Sequence, residues 1–170
     1  IPMPRPGRLA LILCAALLLA ACSTLTVRHL ARAPWSVAPG QSLEMKYWRF
    51  NYDVVQLPQQ FGITGRALPT AEVPDWVAFA AELWFEAYLS DAEGRVLARA
   101  SRVYQAQPLD RAGGVPFEFI LKPFPPQGKG AKLFVTFGYS MNAADRASGG
   151  AAGAAPPRVF FASESALSRF

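Results

Sequence analysis

Glu82, Trp84 and Glu86 occupy every second position of "ELWFEAYLS". Two carboxylates flanking an indole are the residue types of an acid–base hydrolase, or of a sugar platform on which a pyranose stacks. Spacing argues against the hydrolase. On a strand rising about 3.4 Å per residue the two Glu Cα atoms stand roughly 13 Å apart. Glycosidase carboxylates sit about 5–9.5 Å apart. The plainer expectation is an exposed sheet face, with the glutamates paired across strands to Arg99 or Arg102. Trp48, Phe50 and Tyr52 form a second alternating series. On an open face this series would mark a partner site; its continuation into Val54 favours the core. Asn51 and Asp53 offer two oxygens, where calcium takes about six to eight. The candidate binding surface is therefore Trp48, Trp84, Glu82 and Glu86.

Metal and nucleophile chemistry finds little material. His29 is the one histidine, and Cys14 and Cys22 are the two cysteines. Both cysteines fall in or beside an apolar leader, and His29 follows it closely. The usual zinc, copper, Cys–His and Ser–His–Asp arrangements therefore have no place in the rest of the chain. No catalytic residue, metal or cofactor is expected, and His29 reads as a solvated linker residue.

The leader carries the most specific signal. Arg5 and Arg8 precede an uncharged run of 13 residues, Leu9 to Ala21. As a helix that run would span about 20 Å, against about 30 Å of bilayer core. Its length and flanks suit a secretory signal better than a membrane span. The run ends in Leu19-Ala20-Ala21-Cys22, which resembles the lipobox of bacterial lipoproteins. The resemblance implies cleavage between Ala21 and Cys22, diacylation of the Cys22 thiol and usually a third chain on the new amine. It also implies a sorting rule: Ser23, in place of Asp, points to the outer membrane facing the periplasm. The uncharged stretch continues to Val27, so an uncleaved anchor or a simple cleaved signal stays open as an alternative. The chain begins Ile1-Pro2, and Met3 is its first methionine; the signal is intact from either start.

Cleavage leaves residues 22–170, enough for one domain with a sizeable core. Lys and Arg then number 15 against 12 acids, a charge near +3. The cations are scattered, which is no nucleic-acid footprint. With Cys14 removed and Cys22 acylated, no disulfide is available and packing must supply the stability. Expected partners are the membrane, through Cys22, and an envelope protein; the oligomeric state stays open.

The elements that must position these residues read as strands. Residues 22–40, with two Pro and a Gly, suggest a lipidated tether, of which Leu25–Val27 could form a short edge strand. Arg28 and Arg32 would then sit near lipid head groups. "QSLEMKYWRFNYDVV" alternates as one long strand, and "FGITGRAL" as a short one with Gly62 and Gly65 at bends. "ELWFEAYLSDAEGRVLARASRVY" reads as a hairpin. Leu83, Phe85, Ala87 and Leu89 face the core, and Asp91–Gly94 makes the turn. "VPFEFILKP", "AKLFVTFGYSM" and "RVFFAS" supply three more strands. Residues 142–157 hold no apolar side chain larger than Ala and suggest a flexible loop. "SESALSRF" suggests a closing helical turn capped by Ser163 or Ser165.

About seven short strands without a long helix imply an all-β, antiparallel sandwich over residues 41–170. "GITGRAL" followed by "LWFEAYLSDAEGRVLA" resembles the FxLYD-type and LEA14-like domains over Gly62–Tyr104. That resemblance implies an immunoglobulin-like form of the sandwich and carries no catalytic residue. Three roles follow as expectations: a noncatalytic binding or scaffolding lipoprotein, an accessory lipoprotein of a secretion or pilus assembly, or a carbohydrate-binding module.

Overall fold

The computed structural model describes residues 24–123, 130–147 and 155–169. The expected signal and Cys22 lie outside these residues, as do 124–129 in the Pro-rich turn and 148–154 in the Ala/Gly loop. The described chain is all-β. Its strands are β1 (Thr24–Thr26), β2 (Ala33–Pro34), β3 (Gln41–Glu44), β4 (Trp48–Leu57), β5 (Gln60–Pro69), β6 (Phe79–Ser90), β7 (Val96–Tyr104), β8 (Gln107–Pro108), β9 (Val115–Leu121), β10 (Phe134–Ala144), β11 (Val159–Glu164) and β12 (Leu167–Arg169). Every pairing is antiparallel.

Period-2 patterning explains the long strands. Trp48, Phe50, Tyr52 and Val54 of β4 are buried, while Arg49, Asn51, Asp53 and Val55 are exposed. In β9 the buried set is Val115, Phe117, Phe119 and Leu121. Aromatic and β-branched side chains suit such half-buried pleated surfaces. A front sheet in the order β3-β4-β5-β9 packs on a back sheet in the order β11-β10-β6-β7. β2 adds to β10 and β8 to β6, and β1 with β12 forms a separate two-stranded ribbon. The links β5 to β6, β7 to β9 and β9 to β10 each change sheet, which is the wiring of an immunoglobulin-like sandwich.

Aromatic rings join the layers. Phe50 of the front sheet stacks on Phe137 of the back sheet, with centroids 4.3 Å apart and planes within 7°. Phe85 meets Trp48 and Phe50 edge-on at 4.9 and 5.3 Å. The hairpin closes as its sequence implies. Gly94 takes φ +80° and donates to the Asp91 carbonyl at 3.1 Å. A Cβ there would also lie 3.0 Å from the Arg28 backbone.

Several expectations change. "QSLEMKYWRFNYDVV" is a hairpin, since Met45 N donates to Trp48 O at 2.8 Å and β3 folds back on β4. Gly62 and Gly65 lie within a continuous ladder to β4 and cause no bulge there. The segment from Thr24 onward is no tether. β1 pairs with β12, Val27 and Leu30 are buried, and Trp35 N donates to Leu133 O at 2.8 Å. Asn142–Ala144 complete β10, with Ala143 and Ala144 buried. They pair with Glu82, Ala80 and Phe79 of β6, so low bulk here does not mark a loop. The closing helical turn is absent: residues 167–169 extend as β12, because β1 offers its backbone groups a partner.

Phe85→Ala should cost about 3–5 kcal/mol in urea unfolding, as a large side chain leaves a packed core. Glu82→Ala, at an exposed position, should stay within about 0.5 kcal/mol. Equal costs would contradict this packing.

Candidate functional surface

The outward residues of β6 separate into two environments. Glu82 is exposed and Trp84 half-buried, but Glu86, Tyr88 and Ser90 are buried, Glu86 at 8% exposure. Period 2 places all five on the outer face of the back sheet. Burial of the last three comes from a strap that crosses that face, made of residues 24–33 and 164–169. Ala166 N donates to the Tyr88 hydroxyl at 3.2 Å, and that hydroxyl donates to the Glu86 carboxylate. Thr136 Oγ1 donates to Ala31 O, fixing the strap to β10. Arg28 Nε donates to Glu93 O at 3.0 Å, and Arg32 Nη1 to Asp91 O at 3.2 Å. Both arginines are therefore bonded to the hairpin turn. His29 Nε2 donates to Ser165 O at 2.9 Å, so this residue ties the strap together and is no mere linker side chain.

This arrangement corrects the expected exposed Glu86. Its carboxylate is covered and bonded to Tyr88, so Glu82 and Glu86 do not converge on open space. The expected cross-strand ion pairs are also missing. Register sets Arg99 opposite Tyr88 and Arg102 opposite Phe85, while Glu86 faces Ser101. Among the described residues no ion pair involves Glu82 or Glu86. Trp48 lies wholly inside, edge-on to Phe85, and presents no surface to a ligand.

What remains open is the other half of the same face. Ladder pairing lines up Ser163, Ser140, Trp84 and Val103 across four strands. Phe161, Asn142 and Glu82 form the adjoining row. Val103 is 79% and Phe161 67% exposed, so the stripe carries apolar side chains into water. Sequence reasoning found Trp84 and Glu82 but missed Val103 and Phe161. Both occupy outward positions of their strands, but only the register sets Val103 opposite Trp84 and Phe161 across Asn142 from Glu82.

A shallow groove of about 650 Å³ runs over the outer face of the front sheet, past Ser42, Asn51, Asp53, Thr64 and Arg66. Its polar groups are largely used within the fold. Asp53 Oδ1 accepts from Gly40 N at 2.6 Å, Ser42 Oγ donates to Asn51 Oδ1 at 2.9 Å, and Arg66 donates to Gly113 O at 2.7 Å. Among the described residues no cluster of three or more His, Cys, Asp or Glu could hold a metal ion.

The chain matches no family model, no curated protein and no solved structure.

Burial raises the phenols of Tyr52, Tyr88 and Tyr139 above the usual value, and moves Tyr104 up to about 12. The Glu86 carboxylate adds to the shift of Tyr88, and Glu164 to that of Tyr139. The folded chain thus keeps protons that the unfolded chain releases near pH 10. Stability from this source is complete below about pH 10 and falls as pH rises through the folded values, by about 1.4 kcal/mol per pH unit for each retained proton. Tyrosinate absorbance should therefore rise together with the loss of near-UV circular dichroism. Ionisation of these four tyrosines near pH 10 in a still-folded chain would contradict the burial.

Proposed function

We propose that the chain is a bacterial lipoprotein, acylated at Cys22, whose β-sandwich is a noncatalytic binding or scaffolding module at the periplasmic side of the outer membrane. The observation that carries this reading is the ending Leu19-Ala20-Ala21-Cys22 after 13 uncharged residues and two arginines. One acyl chain binds a membrane only marginally, and each buried CH₂ adds about 0.8 kcal/mol. Two or three long chains make release negligible without any membrane-spanning segment. Ser23 supports outer-membrane sorting.

A binding role, in place of catalysis, is supported by the state of the carboxylates. Glu86 is sealed under the strap, and Glu82 stands alone at the edge of an apolar stripe. Val103, Trp84 and Phe161 form the contact surface of this proposal, and its partner is an envelope protein. A sandwich presenting exposed Val103 and Phe161 with half-buried Trp84, among Ser140, Ser163 and Asn142, suits a clamp in a secretion or pilus assembly. The half-exposed Trp84 beside Glu82 supports the second reading, a sugar platform.

Cys22→Ala should abolish radiolabelled palmitate incorporation and leave unprocessed precursor or soluble product. Incorporation that survives the substitution would remove the lipobox reading.

Val103→Glu should leave the unfolding midpoint nearly unchanged, since the side chain is 79% exposed. It should also remove the partner recovered from detergent-solubilised envelope by the unsubstituted chain. A glycan array separates the two readings: glycan binding lost on Trp84→Ala supports the sugar platform and counts against the protein clamp.

A further inference from the structure

We infer that the domain lies directly against the membrane, with the β1–β12 side of the strap as its lipid-facing surface. The inference rests on the proposed acylation of Cys22. The first residue of β1 is Thr24, two positions after that cysteine. Two peptide steps reach no more than about 7 Å. A domain of this length has a radius of gyration of about 15 Å. A leash half that long cannot lift the body clear of the head groups or let it turn over. The same stretch read as a tether through Gly40 would have reached about 60 Å.

The local surface has the chemistry that such a position requires. Thr24 pairs with Arg169 and Leu25 with Ser168, and Thr26 bridges to Arg95 at the start of β7. Leu167, opposite Thr26, is 55% exposed. Thr26, Arg28, His29, Leu167 and Ser168 line a shallow groove of about 390 Å³. An exposed leucine beside an exposed arginine and histidine suits the boundary between acyl chains and phosphate head groups. Arg28, Arg32, Arg95, Arg99 and Arg169 belong to the strap, the hairpin turn and the start of β7, against the three acids Asp91, Glu93 and Glu164. Arg95 engages Asp91 and Glu93, at 2.6 and 3.6 Å. The surface is therefore net basic and complementary to anionic lipid.

The reverse side is defined just as clearly. Val55 and Ile120 lie on the outer face of the front sheet, across the whole sandwich from the strap. On this orientation they point away from the bilayer.

The sequence makes a direct test convenient. Once Cys14 leaves with the signal and Cys22 carries lipid, an introduced cysteine is the one free thiol. The acylated chain would carry bimane at Leu167→Cys or at Val55→Cys. It would be reconstituted in vesicles of phosphatidylethanolamine and phosphatidylglycerol containing head-group spin-labelled lipid. Quenching should be several-fold stronger at position 167 than at 55. A Gly/Ser insertion of about 20 residues after Ser23, spanning about 25 Å, should abolish the difference. Equal quenching at the two positions in palmitate-labelled protein would overturn the apposition alone and leave the lipoprotein reading standing. Absence of palmitate on Cys22 would overturn both.

Discussion

Tyr88 lies across Gly138, and the outer half of the molecule depends on that contact. A Cβ at position 138 would come within 2.9 Å of the Tyr88 ring and 3.0 Å of the Glu164 carbonyl. The ring fits because the facing residue has no side chain. Its hydroxyl then accepts from Ala166 N and donates to Glu86, so one phenol holds both the chain's last segment and a buried carboxylate. β12 is thereby placed where β1 can pair with it, and β1 brings Val27 and Leu30 into the core. Both ends of the described chain are fixed by a single close approach. On the proposed acylation of Cys22, the short reach from that residue to Thr24 follows from the same pairing.

The sandwich beneath owes its stability to packing. The folded region has no cysteine after position 22 and hence no disulfide. In antibody domains a disulfide and a tryptophan join the sheets; here Phe50, Phe85, Phe117 and Phe137 do so, with Trp48 against Phe85. Edge and stacked contacts of this kind add about 0.5–1.5 kcal/mol each beyond area burial. The core also carries cost: Trp48 Nε1 and the Tyr52 hydroxyl are buried with no partner. A buried donor left unpaired costs about 1–3 kcal/mol. Both rings supply large apolar area inside the sandwich, Trp48 at the first position of β4 and Tyr52 further along it.

The sequence revealed what local periodicity controls. Leu83, Phe85, Ala87 and Leu89 alternate inward as expected, and Gly94 sits in the turn with positive φ. Alternation tells which residues leave the core face, but not what lies beyond them. Glu86 and Tyr88 point outward, as their positions require, yet are buried by a strap distant in sequence. The strap itself was obscured by composition. Two prolines and a glycine suggested a tether, and terminal serines suggested a helix cap. Gly138, in the middle of the otherwise bulky "FVTFGYSM", was the local sign of a close approach. Its partner could be known only from register. The stripe was half-legible for the same reason: Trp84 and Glu82 share a strand, whereas Val103 and Phe161 join them only through the ladder.

Strap and stripe divide one sheet face between them, and the proposed membrane position gives the division a consequence. Stacked β layers stand about 10 Å apart. A strap resting on the head groups therefore holds the uncovered part of the sheet back by about one layer. Val103 lies eight residues along the chain from Arg95, roughly 27 Å at strand rise. On the proposed orientation Val103 is thus displaced along the sheet from the strap, whereas Phe161 stands on β11 close to the strap's Glu164. Apolar side chains gathered on one strip of a monomer's surface mark an interaction site. On the proposed membrane position the strap holds lipid off, and the envelope-protein partner proposed for this face would enter from the β11 edge where Phe161 stands. On that proposal, the strap that closes the fold also separates the face that meets the membrane from the face left for a partner.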